Sequence, residues 1–139
     1  MRLIATEKEI ENAILQYLRN KPGCFAFKVN TTGIFDPKIK TFRRTSRYIV
    51  PGTPDIIVCY NIKGMGIFLG LEVKSQKGKQ SKAQAIFEKS LKLKSGGLYF
   101  VVKSVKEVED ALAGVTRQLS NLIDSQSAAF SDTQSVISA

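Results

Sequence analysis

Three side chains near the middle of the sequence have the types and order needed for metal-assisted chemistry on a phosphodiester: Asp55, Glu72 and Lys74. Asp55 closes a proline turn, Pro51-Gly52-Thr53-Pro54-Asp55, and opens the apolar, β-branched run Ile56-Ile57-Val58-Cys59-Tyr60. Glu72 and Lys74 lie in a second such run, Leu71-Glu72-Val73-Lys74-Ser75. If the two runs are neighbouring strands, the two carboxylates stand side by side. Buried together they repel, so each is partly protonated or a cation lies between them. Oxygen donors with no histidine beside them point to Mg²⁺ or Mn²⁺. Such an ion polarises a phosphate and lowers the pKa of a bound water. The two-residue period of a strand puts Glu72 and Lys74 on one side, roughly 7 Å apart. There the ammonium can position a water or offset charge developing on a phosphate. Val73, between them, offers its backbone carbonyl as a further ligand. A plain salt-bridge cluster of the same residues is the competing explanation, but two buried acids served by one lysine stabilise poorly.

Composition narrows the chemistry further. The chain has no histidine, which excludes a Ser-His-Asp triad, a Cys-His pair and an imidazole zinc site. Its 21 Lys and Arg outnumber 12 Asp and Glu, for a formal charge of +9, the footprint of a nucleic-acid partner or of well-solvated helices. At 139 residues, 43% of them hydrophobic, one domain can bury its own core. No apolar run is long enough to span a membrane. Met1-Arg2-Leu3-Ile4-Ala5-Thr6-Glu7 turns charged too early for a signal peptide. Cys24 and Cys59 are far apart and outside any C-x-x-C pattern, which fits a reducing cytoplasm rather than a disulfide framework.

The surrounding pattern supplies elements to position these groups. Thr6 with Glu9 forms a capping box, and Ile10, Ala13, Ile14, Tyr17 and Leu18 recur at helical spacing up to a stop at Asn20-Lys21-Pro22-Gly23. Glu7 begins the same stripe, with Glu11 beside it. Cys24 to Asn30 alternates as a strand. Asp36 to Tyr48 reads as a loop in which Lys38, Lys40, Arg43, Arg44 and Arg47 are interleaved with Phe35, Phe42 and Tyr48. That mixture suits phosphate contact and base stacking, or a solvated loop pinned by its aromatics. Pro54 to Tyr60 and Ile67 to Ser75 are strands joined by a hairpin-like connection. A basic turn with Lys77 and Lys79 follows. Ser81 caps a helix that begins at Lys82 and runs to about Lys94, with Gln84 in its first turn looking back toward Glu72. Leu98 to Val102 is a strand, and Val105 to about Leu122 a helix. Residues 1–123 form the domain, and 124–139, rich in Ser, Ala and Gln, read as a flexible tail. This order predicts an α/β fold with a mixed central sheet flanked by helices.

Pro54-Asp55 followed by Glu72-Val73-Lys74 resembles the PD-(D/E)xK nuclease superfamily. The fuller set, Glu7-x-x-Ile10, Asn30-Thr31-Thr32-Gly33, Pro51 to Asp55, Leu71 to Ser75 and Ser81-Lys82-Ala83-Gln84, is similar to its VRR-NUC (virus-type replication-repair nuclease) branch. The resemblance implies a restriction-endonuclease-like core and Mg²⁺- or Mn²⁺-dependent hydrolysis of DNA. It makes Asp55 and Glu72 metal ligands and Lys74 the catalytic lysine, completes the acidic site with Glu7 and lines it with Gln84. Stand-alone members resemble Holliday-junction resolvases, are often viral and act as homodimers. The expected setting is therefore the cytoplasm of a bacterial or phage-infected cell, with branched DNA as partner. Lys38, Lys40, Arg43, Arg44, Arg47, Lys77, Lys79 and Lys82 are the expected DNA contacts. A non-catalytic basic binding module, or an exonuclease or nicking enzyme with the same site, are the alternatives.

Overall fold

A computed structural model describes residues 4–30, 33–43 and 46–138, with side chains described as far as residue 129. Helix α1 (Glu7–Asn20) starts at the expected capping box. Thr6 Oγ1 accepts from the Glu9 amide at 3.3 Å, and Glu9 Oε2 accepts from the Thr6 amide at 2.7 Å. Strand β1 (Cys24–Lys28) follows, then a short hairpin of β2 (Ile34–Asp36) and β3 (Thr41–Arg43). The main sheet continues with β4 (Ile56–Ile62) and β5 (Met65–Val73). Helix α2 (Lys82–Ser95), strand β6 (Leu98–Val102) and helix α3 (Val105–Ser138) complete the chain.

The four-stranded sheet has the order β1-β4-β5-β6. β1 and β4 pair antiparallel, as do β4 and β5, while β5 and β6 are parallel through the α2 crossover. The sheet is therefore mixed, as the sequence implied. A parallel neighbour needs a long return path, and α2 provides it. One face of the sheet carries Ile56, Val58, Leu69, Leu71, Val73 and Val102. It packs against Ile10, Ile14 and Leu18 of α1 and Val108, Leu112 and Val115 of α3. The recurrence of apolar residues every three or four positions on each helix makes a single stripe meet that face. α2 lies toward the other face, where Phe87 meets Tyr99 of β6 at 6.2 Å between ring centroids.

Two features depart from the sequence reading. The segment read as a basic loop contains the β2–β3 hairpin, paired Ile34↔Arg43, Phe35↔Phe42 and Asp36↔Thr41. Helix α3 runs on to Ser138, well past the expected end near Leu122, and its side chains from Asp124 to Ala129 are exposed. No helix among the described residues is long and apolar enough to cross a membrane.

Packing around the proline turn fixes the aim of Asp55. Pro54 is fully buried, and a Cβ on Gly70 of the neighbouring β5 would lie 2.7 Å from its Cγ. Gly70→Ala is therefore an overpacked substitution that should cost about 1–3 kcal/mol. A thermal melt that falls by several degrees is the expected result. An unchanged melting temperature would mean that Pro54 can lift away freely.

Candidate active site

The register Ile56↔Leu71 at the end of β4 and β5 continues to place Asp55 opposite Glu72. The two-residue strand period then turns both carboxylates to the face away from α1 and α3. Asp55 is half-buried, and its Oδ2 accepts a hydrogen bond of 2.8 Å from the Val73 amide. Val73 thus meets the acid through its N–H, which anchors one Asp55 oxygen across the two strands.

Glu72 is 2% exposed, the buried charged residue among those described. Its Oε1 is well served: Gln84 Nε2 donates to it at 2.5 Å and Lys74 Nζ lies 3.4 Å away. Its Oε2 is buried and has no hydrogen-bond partner among the described residues. Burial, reinforced by the negative charge of Asp55 and opposed by Lys74, pushes the Glu72 carboxyl up from 4.5 to about 7. A buried carboxylate oxygen with no donor is an expensive arrangement unless a proton or a cation meets it.

Gln84 reaches Glu72 because α2 starts where it does. The Ser81 hydroxyl accepts from the Gln84 amide at 3.2 Å, and Gln84 Oε1 accepts from the Ser81 amide at 2.7 Å. This capping box uses the glutamine's carbonyl end and leaves its amide end for Glu72. The connection before the helix is pinned as well. Gln80 Nε2 donates to Glu88 Oε1 at 3.0 Å, and Lys103 Nζ donates to the Gln76 carbonyl at 2.8 Å.

Asp55, Glu72, Lys74 and Gln84 are thus brought together, and Glu7 is not. Glu7 is exposed in the first turn of α1, and among the described residues no three acids gather closely enough to enclose a metal ion. The half-buried acid of α1 is Glu11, one turn along, whose Oε1 lies 2.7 Å from Lys28 Nζ. Lys28 is a neighbour that the sequence reading missed. Its pKa is raised by Glu11 first and, least, by the charge of Asp55. Lys28 is the last residue of a short alternating strand, and nothing in that alternation marks it. Lys77 and Lys79 are exposed on the turn between β5 and α2, and Lys82 is exposed at the first position of α2. Lys38, Lys40, Arg43 and Arg47 are exposed on and after the β2–β3 hairpin, while Arg44 lies outside the described residues.

The donor set at the site is oxygen only. Cys24 is packed against the core, and Cys59 is exposed further along β4. Two repelling carboxylates, one with a buried oxygen lacking a donor, fit a hard divalent cation. Burial first and the Asp55 charge second raise the Glu72 carboxyl, and Lys74 offsets them only in part.

No protein-family model and no curated protein matches the sequence. A solved structure described as a VRR_NUC domain aligns with 78% of this chain and 97% of its own, at 21% sequence identity and a TM-score of 0.52. The strand order, the mixed sheet and this likeness together show that the chain has the fold of a VRR_NUC domain.

Proposed function

We propose that this chain is a divalent-metal-dependent deoxyribonuclease, with Asp55 and Glu72 as its metal ligands. The observation that carries this reading is the buried Glu72 Oε2 facing no donor beside a second carboxylate. The basic surface and the fold likeness support it. Branched DNA such as a four-way junction is the substrate we assign, cut by a two-fold dimer whose symmetry matches that of the junction.

Asp55 and Glu72 would hold Mg²⁺ or Mn²⁺, which would supply charge neutralisation at the phosphate and a water whose lowered pKa makes hydroxide available near neutral pH. The chain's own residues do the rest. Asp55, fixed by the Val73 amide, and Glu72, fixed by Gln84, present two carboxylate oxygens at a set separation. Glu72 must give up its proton to bind the ion, so affinity rises as pH passes about 7. Lys74, paired with Glu72 Oε1, carries its ammonium to the phosphate side and offsets charge as the bond breaks. The exposed lysines of the turn between β5 and α2 hold flanking phosphates.

The test is cleavage of four-way junctions, flaps, duplex and single strands with Mg²⁺, Mn²⁺ or chelator. Cutting should need the divalent ion, and Lys74→Ala should slow it roughly 10²–10³-fold while DNA binding survives. Salt-sensitive binding with no cutting under any divalent ion would instead make the protein a binding module.

A further inference from the structure

The β2–β3 hairpin presents a combination that the acidic site does not use. Phe35 and Phe42 face each other across the strands, edge to face, with ring centroids 5.5 Å apart. They are 52% and 58% exposed, and Ile39 at the turn is 59% exposed. Aromatic rings paired so openly on a two-stranded ribbon do little for the core. The hairpin forms a sheet of its own, separate from the main one.

Cations are interleaved with these aromatics along the chain. Among residues 33–43 and 46–50, Lys38, Lys40, Arg43 and Arg47 stand against a single acid, Asp36. Asp36 is already engaged: its Oδ1 accepts from the Lys38 amide at 2.9 Å, and its Oδ2 lies 3.5 Å from Arg43 Nε. Arg47 stacks on Tyr48, itself 77% exposed, at 5.0 Å from the ring centroid. Lys40 holds the turn with φ +54°, a conformation that favours glycine, so a lysine is kept at the tip at a cost in backbone strain.

The root of this segment is at the acidic site. β1 and β4 pair as far as Lys28↔Ile56, and the Val29 amide then donates to the Asp55 carbonyl at 2.8 Å. The chain leaves beside Asp55, forms the hairpin and returns to Asp55.

We propose that the β2–β3 hairpin is a wedge for unpaired DNA bases, which selects branched or single-stranded DNA for the acidic site. Phe35 and Phe42 stack on bases exposed at a branch point, while Lys38, Lys40, Arg43 and Arg47 hold the phosphates around them. This rests on DNA being the substrate. Aromatics interleaved with cations are the chemistry of single-strand recognition. A second copy of the chain is the poorer occupant, because lysine is depleted from the cores of protein–protein interfaces and two such cationic hairpins repel.

The test is binding by the full chain, in chelator, to a four-way junction and a splayed fork carrying 2-aminopurine at the branch, and to continuous duplex. Phe35→Ala with Phe42→Ala should weaken fork and junction binding by about tenfold or more, and duplex binding by less than about twofold. Wild type should quench the 2-aminopurine at the branch, and the alanine pair should not. Phe35→Leu with Phe42→Leu keeps an apolar hairpin and guards against its collapse; it should show the same selective loss, because leucine has no ring to stack. An equal loss on duplex and fork would overturn the proposal, as would full recovery by the leucine pair. So would a dimer that becomes monomeric on sedimentation with fork affinity unchanged. Cleavage by wild type in Mg²⁺ or Mn²⁺ is read separately: absence of cutting with the selective loss intact removes the nuclease reading and leaves the wedge.

Discussion

Glu72→Gln is expected to abolish metal-dependent cleavage and to raise the melting temperature of the metal-free protein above pH 7. Both effects come from one oxygen. Glutamine keeps the shape and leaves a carbonyl oxygen for Gln84 Nε2 and Lys74 Nζ. Its amide nitrogen takes the place of Oε2 and can donate toward Asp55, so repulsion becomes a hydrogen bond. The sign follows from linkage. The folded chain holds the Glu72 proton up to about 7, whereas the unfolded chain releases it near the ordinary 4.5. The folded state thus binds more protons between those values, and wild-type stability falls as pH rises through that window. Glutamine does not titrate. The variant should match wild type near pH 5 and exceed it at pH 8 by on the order of 2 kcal/mol, because each tenfold difference in proton affinity between the folded and unfolded chain is worth about 1.4 kcal/mol. For a domain of this size that is several degrees in the melt. Added Mg²⁺ should stabilise wild type and leave the variant where it was. Melts at the two pH values, with and without the ion, read all of this. A variant that still cuts, or that gains nothing at pH 8, would sink the assignment of Glu72 as a ligand carried at a cost to the fold.

The reason Asp55, Glu72 and Lys74 were legible from sequence is the strictness of strand geometry. A period of two fixes which side each residue faces, and antiparallel pairing across a short connection fixes who stands opposite whom. Gln84 was legible too: Ser81-x-x-Gln84 is a local capping-box pattern, and its place in the first turn aims it at Glu72. The Val73 amide on Asp55 belongs to tertiary packing and carries no such signal. Glu7 shows the limit for helices. Periodicity places it on the stripe of Ile10 and Ile14, but it does not say how far along the helix the sheet extends. The acid that becomes half-buried and paired is Glu11. The β2–β3 hairpin escaped because its strands are only three residues each, and its apolar residues are exposed rather than alternating against a core. The reach of α3 escaped for the opposite reason. Its apolar stripe weakens after Ile123, yet no glycine or proline follows Gly114 to end it.

Gly52→Ala should cut activity far more than its distance from the chemistry suggests. Gly52 has φ +79°, and a Cβ there would fall 2.2 Å from the Ala83 carbonyl oxygen and 2.7 Å from the Gln84 amide. The proline turn that ends in Asp55 is thus pressed against the first turn of α2, at the point where Gln84 leaves to hold Glu72. Neither wall is a flexible side chain. Either the turn lifts, re-aiming Asp55, or α2 shifts and draws Gln84 off Glu72. A displacement of about 1 Å in a catalytic geometry can cost on the order of 10²-fold in rate. Strain and clash together should remove about 2–4 kcal/mol of stability. Gly64, at the tip between β4 and β5, is the matched comparison. Its φ is +85°, but a Cβ there meets nothing within 4 Å. Gly64→Ala therefore bears the same backbone strain, about 1 kcal/mol, without the clash. It should lower the melt slightly and leave cleavage untouched. Equal activity in the two variants would show that the turn and the helix move independently, and that Asp55 and Glu72 are not locked together through Gly52.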